Sequence, residues 1–337
     1  MTTTPRRNLL TDVAGVSVGH ADDARLASGV TCVLFEEPVI AACDVRGGGP
    51  GTRETDLLDA GRTVEKIDAI VLSGGSAFGL DACAGAQAFL RGQGRGFAIR
   101  DVRVPIVPGA ALFDLINGGD KAWGTYPPYR ELGFAAAEAA AAGRPDFALG
   151  SVGAGLGATT VNLKGGLGSA STVTEDGITV AAIAAVNAVG SATVGDGPWF
   201  WAGPFEQAGE FGGMGFPSKM PVDGLTMVMK GVQRVSTTLV VVATDAALGR
   251  THAMRLATMA QDGMARALYP IHTPLDGDIV FAAATGRRIL GDAVIGLARL
   301  GTAAATVVAR AIARGVYAAE PLPFPGALPS WRQRYPS

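Results

Sequence analysis

Residues 231–245 read GVQRVSTTLVVVATD, and this stretch decides how the whole chain can be interpreted. Three hydroxyl residues, Ser236, Thr237 and Thr238, are followed at once by the apolar run 239–243, which is typical of a buried strand. If the peptide bond before Thr237 were cut, that residue would carry a free α-amine beside its hydroxyl group. The amine could then act as the base for its own Oγ, as in N-terminal nucleophiles. The alternative is that three hydroxyl residues simply begin a strand.

Composition and charge exclude several classes of protein. The 337 residues are 48% hydrophobic and 17% charged with a net charge of −2, so the chain lacks the basic surface of a nucleic-acid binder. Three cysteines in apolar settings, Cys32, Cys43 and Cys83, indicate thiols in a reducing compartment rather than a disulfide framework. The start, MTTTPRRNLL, lacks the apolar run of a signal peptide, and no stretch of about eighteen apolar residues occurs. We therefore expect a cytoplasmic protein without nucleic-acid or membrane partners.

Strand and helix patterns alternate along the chain. Residues 8–20 predict two strands around a turn at Gly15, and further strands are predicted at 30–35, 39–45, 69–72, 178–186 and 280–284. Helices are predicted at 80–90, 131–142, 248–268 and 292–318. This mixture predicts an α/β layered sandwich, and the absence of sequence repeats and linkers favours one domain over residues 1–337.

A glycine-rich segment, GGSAFG at residues 74–79, follows a predicted strand and precedes a predicted helix, as a phosphate-binding loop would. It lacks the G-K-[ST] ending of a P-loop, and no acidic residue occupies the position that a dinucleotide site requires. We therefore expect close packing between strand and helix, or a backbone lining for a substrate at Gly74, Gly75 and Ser76.

Histidine-based chemistry is not expected from this sequence. The three histidines, His20, His252 and His272, are spread along the chain, and neither a G-x-S-x-G nor an H-E-x-x-H motif occurs. A serine triad or a zinc hydrolase is therefore improbable on sequence grounds. Each histidine is interpreted as a surface or packing residue.

Four other side chains are candidates for a site around Thr237. Asp276 and Asp278 bracket a glycine just before a strand, so their carboxylates could hold an amine and a hydroxyl, or belong to a solvated turn. Asn187 ends a predicted strand among apolar neighbours, where its amide could donate to a developing oxyanion or cap the strand. Lys164 precedes two glycines and is either a buried cation or an ordinary surface lysine.

Eight segments in a fixed order give the chain a resemblance to a known family. They are LTDVAGVSVGH, DVRGGGPGT, VLSGGSAFGLDA, GSVGAGLGA, KGGLGSAS, AAVNAVG, STTLVVVATD and HTPLDGDIVF. Over nearly its whole length the chain resembles the DmpA-type N-terminal-nucleophile aminopeptidases. That family includes the L-aminopeptidase/D-esterase, the β-peptidyl aminopeptidases and the nylon-oligomer endo-hydrolase. The resemblance implies a four-layer αββα sandwich of the DmpA/ArgJ-like type and a homotetramer of cleaved protomers, and no metal or cofactor is expected.

The same resemblance implies that the chain cuts itself between Ser236 and Thr237. The products would be subunits of residues 1–236 and 237–337, and Thr237 would be the nucleophile both in self-cleavage and in substrate hydrolysis. Ser236 departs from the Asn or Gly that precedes the nucleophile in the relatives. A cut before Thr238 therefore stays an alternative.

Further site residues follow from the resemblance. Asn187 matches the asparagine of the oxyanion site, and Lys164 matches the active-site lysine of the nylon-oligomer enzyme. Tyr126 matches the active-site tyrosine, with Tyr129 as the nearby alternative. The Asp-x-Asp pair at residues 276–278 occupies positions that are Ser and Glu in the aminopeptidases and Asp and Asp in the nylon-oligomer enzyme. A threonine nucleophile with this pair is most similar to the nylon-oligomer branch.

The expected function is hydrolysis of amide bonds in small peptides or linear ω-amino-acid oligomers, through an acyl-enzyme on Thr237. One set of alternatives comprises a β-aminopeptidase, a D-aminopeptidase-esterase, and acyl transfer to an amine such as ornithine. Acyl transfer would be distinguished by its product, a transferred acyl group in place of free acid. The other alternative is an uncleaved chain that serves as a binding or assembly subunit.

Overall fold

In the computed structural model, which describes residues 7–231 and 236–336, strands and helices alternate along the chain. The strands are Val16–Asp23 (β1), Ser28–Val45 (β2), Thr52–Arg53 (β3), Lys66–Ser73 (β4), Phe97–Ile99 (β5), Val102–Val104 (β6), Gly109–Ala111 (β7), Gly166–Val173 (β8), Thr179–Asn187 (β9), Thr237–Ala247 (β10) and Ile279–Ile289 (β11). The helices are Asp81–Gly92 (α1), Tyr129–Ala141 (α2), Arg250–Ala265 (α3), Ile295–Tyr317 (α4) and Trp331–Arg334 (α5). The expectation that the chain has no signal peptide rests on the segment MTTTPRRNLL. Most of this segment lies outside the described residues.

One long strand, β2, joins the two halves of a connected sheet. Its residues 28–35 pair antiparallel with β1, its residues 30–34 pair antiparallel with β4, and its residues 40–45 pair antiparallel with β11. The strand order is β3-β7-β4-β2-β11-β10-β9-β8, with β1 beside β2. We call β1, β3, β4, β7 and the beginning of β2 the first half-sheet, and the end of β2 with β8–β11 the second half-sheet.

Three buried apolar clusters show that the two half-sheets lie face to face between helices. The inter-sheet cluster contains Val33 and Ile70 of the first half-sheet together with Val241 and Phe281 of the second. Another cluster packs the outer face of the second half-sheet against α3 and α4, and a third packs the first half-sheet against α1 and α2. The layer order is therefore α–β–β–α, which confirms the predicted sandwich.

Strand β10 is buried on both of its faces. Leu239 and Val241 belong to the inter-sheet cluster, whereas Val240 and Val242 belong to the cluster under α3 and α4. Successive side chains of a strand point to opposite faces, so a strand with two buried faces requires an uninterrupted apolar run. The buried strand predicted at 239–243 is confirmed, and it continues beyond both ends of that run.

Helix α4 packs against α3, β8 and β9. Its 23 residues are long and apolar enough to cross a membrane by length and composition alone. However, 67% of its apolar window is buried inside the protein, which is the burial expected of a core helix.

The predicted strands were wrong in two regions of the chain. Residues 8–20 hold a 3-10 helix at Leu10–Asp12 and only one strand, because the Asp12 carboxylate accepts hydrogen bonds from the backbone N–H groups of the preceding residues. The runs 30–35 and 39–45 form one strand, with a register shift between them instead of a break.

The other predicted elements differ less from the structure. The four predicted helices are found as α1 to α4, with ends shifted by a few residues, whereas β8 was not predicted at all. Cys32 and Cys83 are buried as predicted, Cys43 is half-buried, and all three are free thiols.

Candidate active site at the start of strand β10

Thr237, the first residue of β10, lies directly opposite Asn187, the last residue of β9. Directly opposite residues of antiparallel strands have side chains on the same face, with Cβ atoms about 5 Å apart. The alternation along β10 places both side chains on the face of the inter-sheet cluster and the Thr238 side chain on the opposite face. Strand pairing thus brings together two predicted site residues that are distant in the sequence.

The peptide bond between Ser236 and Thr237 is buried and surrounded by hydrogen bonds. Thr237 Oγ donates to the Ser236 carbonyl oxygen at 2.6 Å, and the backbone N–H of Gly277 donates to the same oxygen at 2.8 Å. The Ser236 N–H donates to the Leu275 carbonyl oxygen at 3.0 Å, which fixes residue 236 beside the 275–277 turn. The Gly277 N–H polarises the C=O bond and can stabilise negative charge that develops on the oxygen, whereas the hydroxyl contact places Thr237 Oγ at the same carbonyl group.

Gly277 leaves room for the threonine hydroxyl. A Cβ atom at this position would lie 2.6 Å from Thr237 Oγ and 2.7 Å from the Gly49 carbonyl oxygen. Both distances are too short for non-bonded contact, and the second involves backbone that cannot easily move. Any larger residue at position 277 would therefore clash, which explains why a glycine stands between the two aspartates.

Asp278 is fully buried and holds the backbone next to the nucleophile. Its Oδ1 accepts the N–H of Thr238 at 2.8 Å. Its Oδ2 accepts the backbone N–H of His272 at 3.1 Å and lies 3.0 Å from Nδ1 of the same histidine. Sequence reasoning had interpreted His272 as a packing or surface residue, and only the fold reveals that it binds a site carboxylate.

Asp276 is fully buried as well, so the turn that holds both aspartates is not solvated. Its Oδ1 accepts the N–H of Val189 at 3.3 Å, and its Oδ2 accepts the N–H and Oγ of Thr273 at 3.0 and 2.9 Å. Burial raises the pKa of Asp276 to about 6, and repulsion from the Asp278 carboxylate adds to the rise. The pair therefore loses part of its negative charge at mildly acidic pH.

The side-chain amide of Asn187 is held at both ends. Its Oδ1 accepts the backbone N–H of Thr159 at 3.0 Å and a hydrogen bond from Lys230 Nζ at 3.2 Å. Its Nδ2 donates to the Phe113 carbonyl oxygen at 3.0 Å. The amide is thus a fixed donor next to Thr237, a geometry that suits stabilisation of an oxyanion.

Lys164 is a buried cation and not a surface lysine, and its described hydrogen bonds go to backbone carbonyl oxygens rather than to Thr237 or Asn187. Its Nζ donates to the carbonyl oxygens of Gly155, Ala158 and Gly165 at 3.0, 2.8 and 2.7 Å. Burial lowers its pKa to about 7, and the Asp114 carboxylate opposes this shift. Its described hydrogen bonds stabilise the 155–165 loop, which carries Thr159 to Asn187.

The two tyrosines that were considered for the site differ in burial. Tyr126 is 84% exposed, so the structure places it on the surface and not at the buried Ser236–Thr237 bond. Tyr129 is fully buried and its hydroxyl lies 3.1 Å from Ser28 Oγ, which donates to Asp114 at 2.7 Å. The described contacts of Tyr129 therefore lie in the layer of α2 and the first half-sheet.

The 74–76 loop shows the close packing that was one of its two interpretations. The Gly75 N–H donates to Asp114 Oδ1 at 2.8 Å, and a Cβ at Gly75, whose φ is +84°, would lie 2.1 Å from the Tyr129 ring. A Cβ at Gly74 would lie 2.1 Å from Ser28 Oγ. Within the described residues, Gly74, Gly75 and Ser76 make no hydrogen bond to Thr237 or Asn187.

A cavity of about 330 Å³ is lined by hydrogen-bond partners of Asn187, whereas Asn187 and Thr237 themselves are not among its lining residues. Thr159 and Lys230, which both donate to Asn187 Oδ1, form one wall together with the buried carboxyl-bearing residue Asp114. The other lining residues come from two loops, Phe113, Ile116, Asn117 and Gly118 from one and Pro325, Gly326, Ala327 and Leu328 from the other. A cavity of this size lies at the small end of ligand sites.

Three residues at or beside the site were missed by sequence reasoning, namely Lys230, Asp114 and His272. Lys230 lies in a segment without periodicity, and Asp114 lies in a loop, so neither carried a local signal. In the part of the chain that the structure describes, no group of three or more His, Cys, Asp or Glu side chains could hold a metal ion.

Sequence comparisons match this chain over nearly its whole length. A family model described as peptidase family S58 matches residues 8–327. An uncharacterized aminopeptidase of Mycobacterium tuberculosis (strain ATCC 25618 / H37Rv) is 40% identical over 353 residues, covering 98% of each chain. The 6-aminohexanoate-oligomer endohydrolase of Kocuria sp. (strain KY2) is 28% identical, covering 84% of this chain and 76% of its own.

Solved structures show the same fold. The β-aminopeptidase of Burkholderia sp. superposes with a TM-score of 0.73 at 22% identity, covering 99% of this chain and 93% of its own. The L-aminopeptidase D-Ala-esterase/amidase of Ochrobactrum anthropi, described as a variant of the N-terminal-nucleophile hydrolase fold, superposes with a TM-score of 0.70 at 21% identity. It covers 99% of this chain and 94% of its own. At these identities the likeness concerns the fold alone.

Proposed function

Because the chain belongs to peptidase family S58 and is therefore an amide-bond hydrolase, we propose that it cuts its own Ser236–Thr237 bond and then uses Thr237 as the nucleophile. One observation carries this proposal. The Thr237 hydroxyl lies 2.6 Å from the carbonyl oxygen of the bond to be cut, and a backbone N–H binds that same oxygen. The nucleophile, the bond and an oxyanion donor are thus together before any reaction.

Self-cleavage would proceed in two steps, formation of an ester and its hydrolysis. Thr237 Oγ attacks the carbonyl carbon of Ser236, the negative charge develops on the oxygen that Gly277 N–H binds, and the C–N bond breaks. The Oγ proton ends on the released α-amine of Thr237. Water then hydrolyses the ester and leaves subunits of residues 1–236 and 237–337.

The mature site uses the new amine as its base. An unperturbed α-amine has a pKa of about 7.7–8.0, so a substantial fraction is neutral near pH 7. It takes the Oγ proton as Oγ attacks the substrate amide, and the acyl-enzyme that forms is released by water. Asn187 Nδ2 donates to the substrate oxyanion. Asp276 and Asp278, which flank the glycine in contact with Thr237, would place negative charge near the new amine and attract an ammonium group on the substrate.

The geometry favours a cut before Thr237 over the alternative before Thr238. Thr237 Oγ lies on the face of Asn187 and contacts the preceding carbonyl oxygen. Thr238 points to the opposite face, and its buried Oγ has no hydrogen-bond partner among the described residues. The Thr238 N–H is already bound by Asp278 at 2.8 Å, which holds this residue within the strand.

We propose small linear amides as substrates, either ω-amino-acid oligomers or short peptides. The cavity of about 330 Å³ lined by hydrogen-bond partners of Asn187 fits a chain of one or two short units and has walls that are part apolar and part polar. The relative named as a 6-aminohexanoate-oligomer endohydrolase supports oligomers, and the relative named as an aminopeptidase supports peptides with a free amine. Release of an amino-terminal residue distinguishes the second activity from internal cleavage.

We also propose that cleaved protomers form a homotetramer in the cytoplasm. The 220–229 segment, MPVDGLTMVM, carries apolar side chains that are exposed in the single chain, among them Val222, Leu225 and Met227. An exposed apolar patch of this kind is typical of a protein interface. The segment ends eight residues before Thr237, so the proposed interface and the proposed cleavage site lie close together in the sequence.

The intact mass of purified protein after incubation at neutral pH tests self-cleavage. We expect two fragments, the smaller beginning with Thr237 by N-terminal sequencing. Thr237→Ala is expected to stay in one piece and to lose amide hydrolysis, because it lacks Oγ. A Thr237→Ala chain that still cleaves and hydrolyses amides would contradict the proposal.

Substrate assays are then made on the cleaved protein. Linear 6-aminohexanoate oligomers, β-peptides and short α-peptides are compared, with mass spectrometry of the products. Addition of ornithine detects acyl transfer, which would appear as an acylated amine.

A further inference from the structure

We propose that Lys230 is a positioning residue, whose ammonium group fixes the orientation of the Asn187 side chain next to Thr237. The inference deepens the proposed function and rests on it, because it concerns the oxyanion donor of that reaction. Lys230 carries no role in the mechanism described so far. Its Nζ lies 3.2 Å from Asn187 Oδ1 and 2.7 Å from the Thr159 carbonyl oxygen.

The polarity of its contacts fixes the orientation of the Asn187 amide. Asn187 Oδ1 faces two donors, Lys230 Nζ and the Thr159 N–H. If the amide rotated by half a turn, its NH₂ group would face both donors and both hydrogen bonds would be lost. A buried amide without partners is costly, so the two donors lock Nδ2 on the side away from Lys230.

Lys230 itself is held in place by its main chain and its surroundings. Its side chain is nearly fully buried, and its backbone N–H donates to the carbonyl oxygen of Val189 at 3.0 Å. Val189 lies two residues after Asn187, so the main chain of residue 230 is tied to the same segment as the amide that its side chain binds. Thr159 completes this arrangement, since its N–H binds Asn187 and its carbonyl oxygen binds Lys230. The lysine therefore has one stable position relative to the asparagine.

The charge of Lys230 also polarises the Asn187 amide. A hydrogen bond from an ammonium group is stronger than one from a neutral donor, and it draws electron density toward the amide oxygen. The Nδ2 hydrogens of Asn187 become more positive as a result and bind an oxyanion better. A neutral residue in place of Lys230 would lose this effect even where it kept the shape.

Both residues of the contact remain in one subunit after the proposed cut. Lys230 and Asn187 both lie N-terminal to the proposed cut, so both stay in the subunit of residues 1–236. Lys164, in contrast, binds backbone carbonyl oxygens of the 155–165 loop and has no described hydrogen bond to Asn187. The structure thus assigns the role of orienting Asn187 to Lys230 and the role of stabilising the loop to Lys164.

Steady-state kinetics on fully cleaved protein test the proposal, with the cleaved fraction checked by mass. We expect Lys230→Met to lower kcat for amide hydrolysis about tenfold to hundredfold, with KM changed less than about threefold. Lys230→Arg is expected to restore part of kcat, because it keeps the charge and the donor. The matched control is Lys219→Met, which removes an exposed lysine of the same region and is expected to leave kcat unchanged.

A double-mutant cycle tests whether Lys230 acts through Asn187. Once Asn187→Ala has removed the amide, Lys230→Met should cause almost no further loss, because the orienting contact no longer exists. If the double variant loses kcat by the product of the two single losses, the two residues act independently, and the proposal is overturned. A Lys230→Met enzyme within twofold of wild type would also overturn it.

A spectroscopic experiment separates this proposal from the proposed function. The chain has four asparagines, so ¹⁵N-asparagine labelling of the Thr237→Ala chain gives few side-chain amide signals, and Asn187→Ala identifies the one in question. We expect Lys230→Met, but not Lys219→Met, to shift that signal and to increase its hydrogen exchange. An unchanged signal would overturn the positioning role. Wild-type protein that neither cleaves itself nor hydrolyses amides would contradict the proposed function while the spectrum still decides the role of Lys230.

Discussion

Two lysines near the site illustrate how burial and partners decide the role of a residue. Lys164 and Lys230 are both buried, and both contribute to holding the loop around Thr159. Lys164 binds three carbonyl oxygens of its own loop, whereas Lys230 reaches the Asn187 side chain. Lys164 was a candidate because the family resemblance matches it to the active-site lysine of the nylon-oligomer enzyme. The sequence offered no sign of Lys230, since the contact with Asn187 exists only in the folded chain.

Asp276 is expected to make stability depend on pH in a defined direction. Its pKa, raised to about 6 by burial and by Asp278, exceeds the ordinary value of 3.8, so the folded chain binds more protons than the unfolded chain between these pH values. The free energy of unfolding therefore decreases as pH rises from about 4 to 6 and stays at the lower value above that. Asp276→Asn removes this dependence.

Urea denaturation at pH 5, 6 and 7 measures this effect. Both chains carry Thr237→Ala, so that neither is cleaved and titrating groups distant from Asp276 cancel. We expect the free energy of unfolding, relative to Asp276→Asn, to fall by roughly 1 kcal/mol between pH 5 and pH 7, because one pKa unit corresponds to a little over 1 kcal/mol and only about one unit of the raised pKa lies above pH 5. A difference between the two chains that does not change with pH would contradict the raised pKa.

At the scale of elements, β8 and α4 are in unusually close contact. A Cβ atom at Gly168 would lie 2.0 Å from the Ala311 carbonyl oxygen and 2.3 Å from the Gly315 nitrogen, so strand and helix backbones touch. The glycines of β8 that allow this contact also hide the strand in the sequence, because they have no side chains to alternate. The strand could not be predicted for the same reason that it packs so closely.

Gly168→Ala is expected to destabilise the protein by about 1–3 kcal/mol or more, since the added methyl group forces β8 and α4 apart. Thermal unfolding measures the change. Gly291→Ala serves as the matched control, because no atom lies within 4 Å of the Cβ it would add. Equal midpoints for the two variants would show that the contact is looser than the structure indicates.

At the scale of the whole molecule, three stacked clusters bury most of the apolar side chains, whereas the 220–229 segment stays exposed. Val222, Leu225, Met227 and Val228 of this segment are each more than half exposed. Because such side chains gain by leaving water, the segment is the best candidate for the interface of the proposed homotetramer.

Leu225→Glu combined with Met227→Glu is expected to lower the molar mass in solution from that of the tetramer to that of a smaller species. Two carboxylates buried without partners would cost more than the interface gains from these residues. Light scattering after size-exclusion chromatography measures the mass. Ile289→Glu, which changes an exposed apolar residue at another position, should leave the mass unchanged. A tetramer that tolerates the double variant would place the interface elsewhere.

The sequence by itself determined the sandwich, the four main helices and the central strand. Residues 239–243 are apolar without interruption because β10 is buried on both faces. That requirement can be recognised from the order of the residues alone. The pattern around Thr237 also determined the family, since so many segments follow in one order. These features depend on local periodicity and on short motifs, and both can be read from a single sequence.

Only the tertiary structure decided which side chains meet. It placed Asn187 opposite Thr237 through strand pairing, buried Asp276 and Asp278, and left Tyr126 at the surface. It also brought Lys230 to Asn187, across a separation that no periodicity covers. The physical reason is that contacts between distant segments depend on the register of strands and the packing of layers, and neither is encoded in the spacing of the residues concerned.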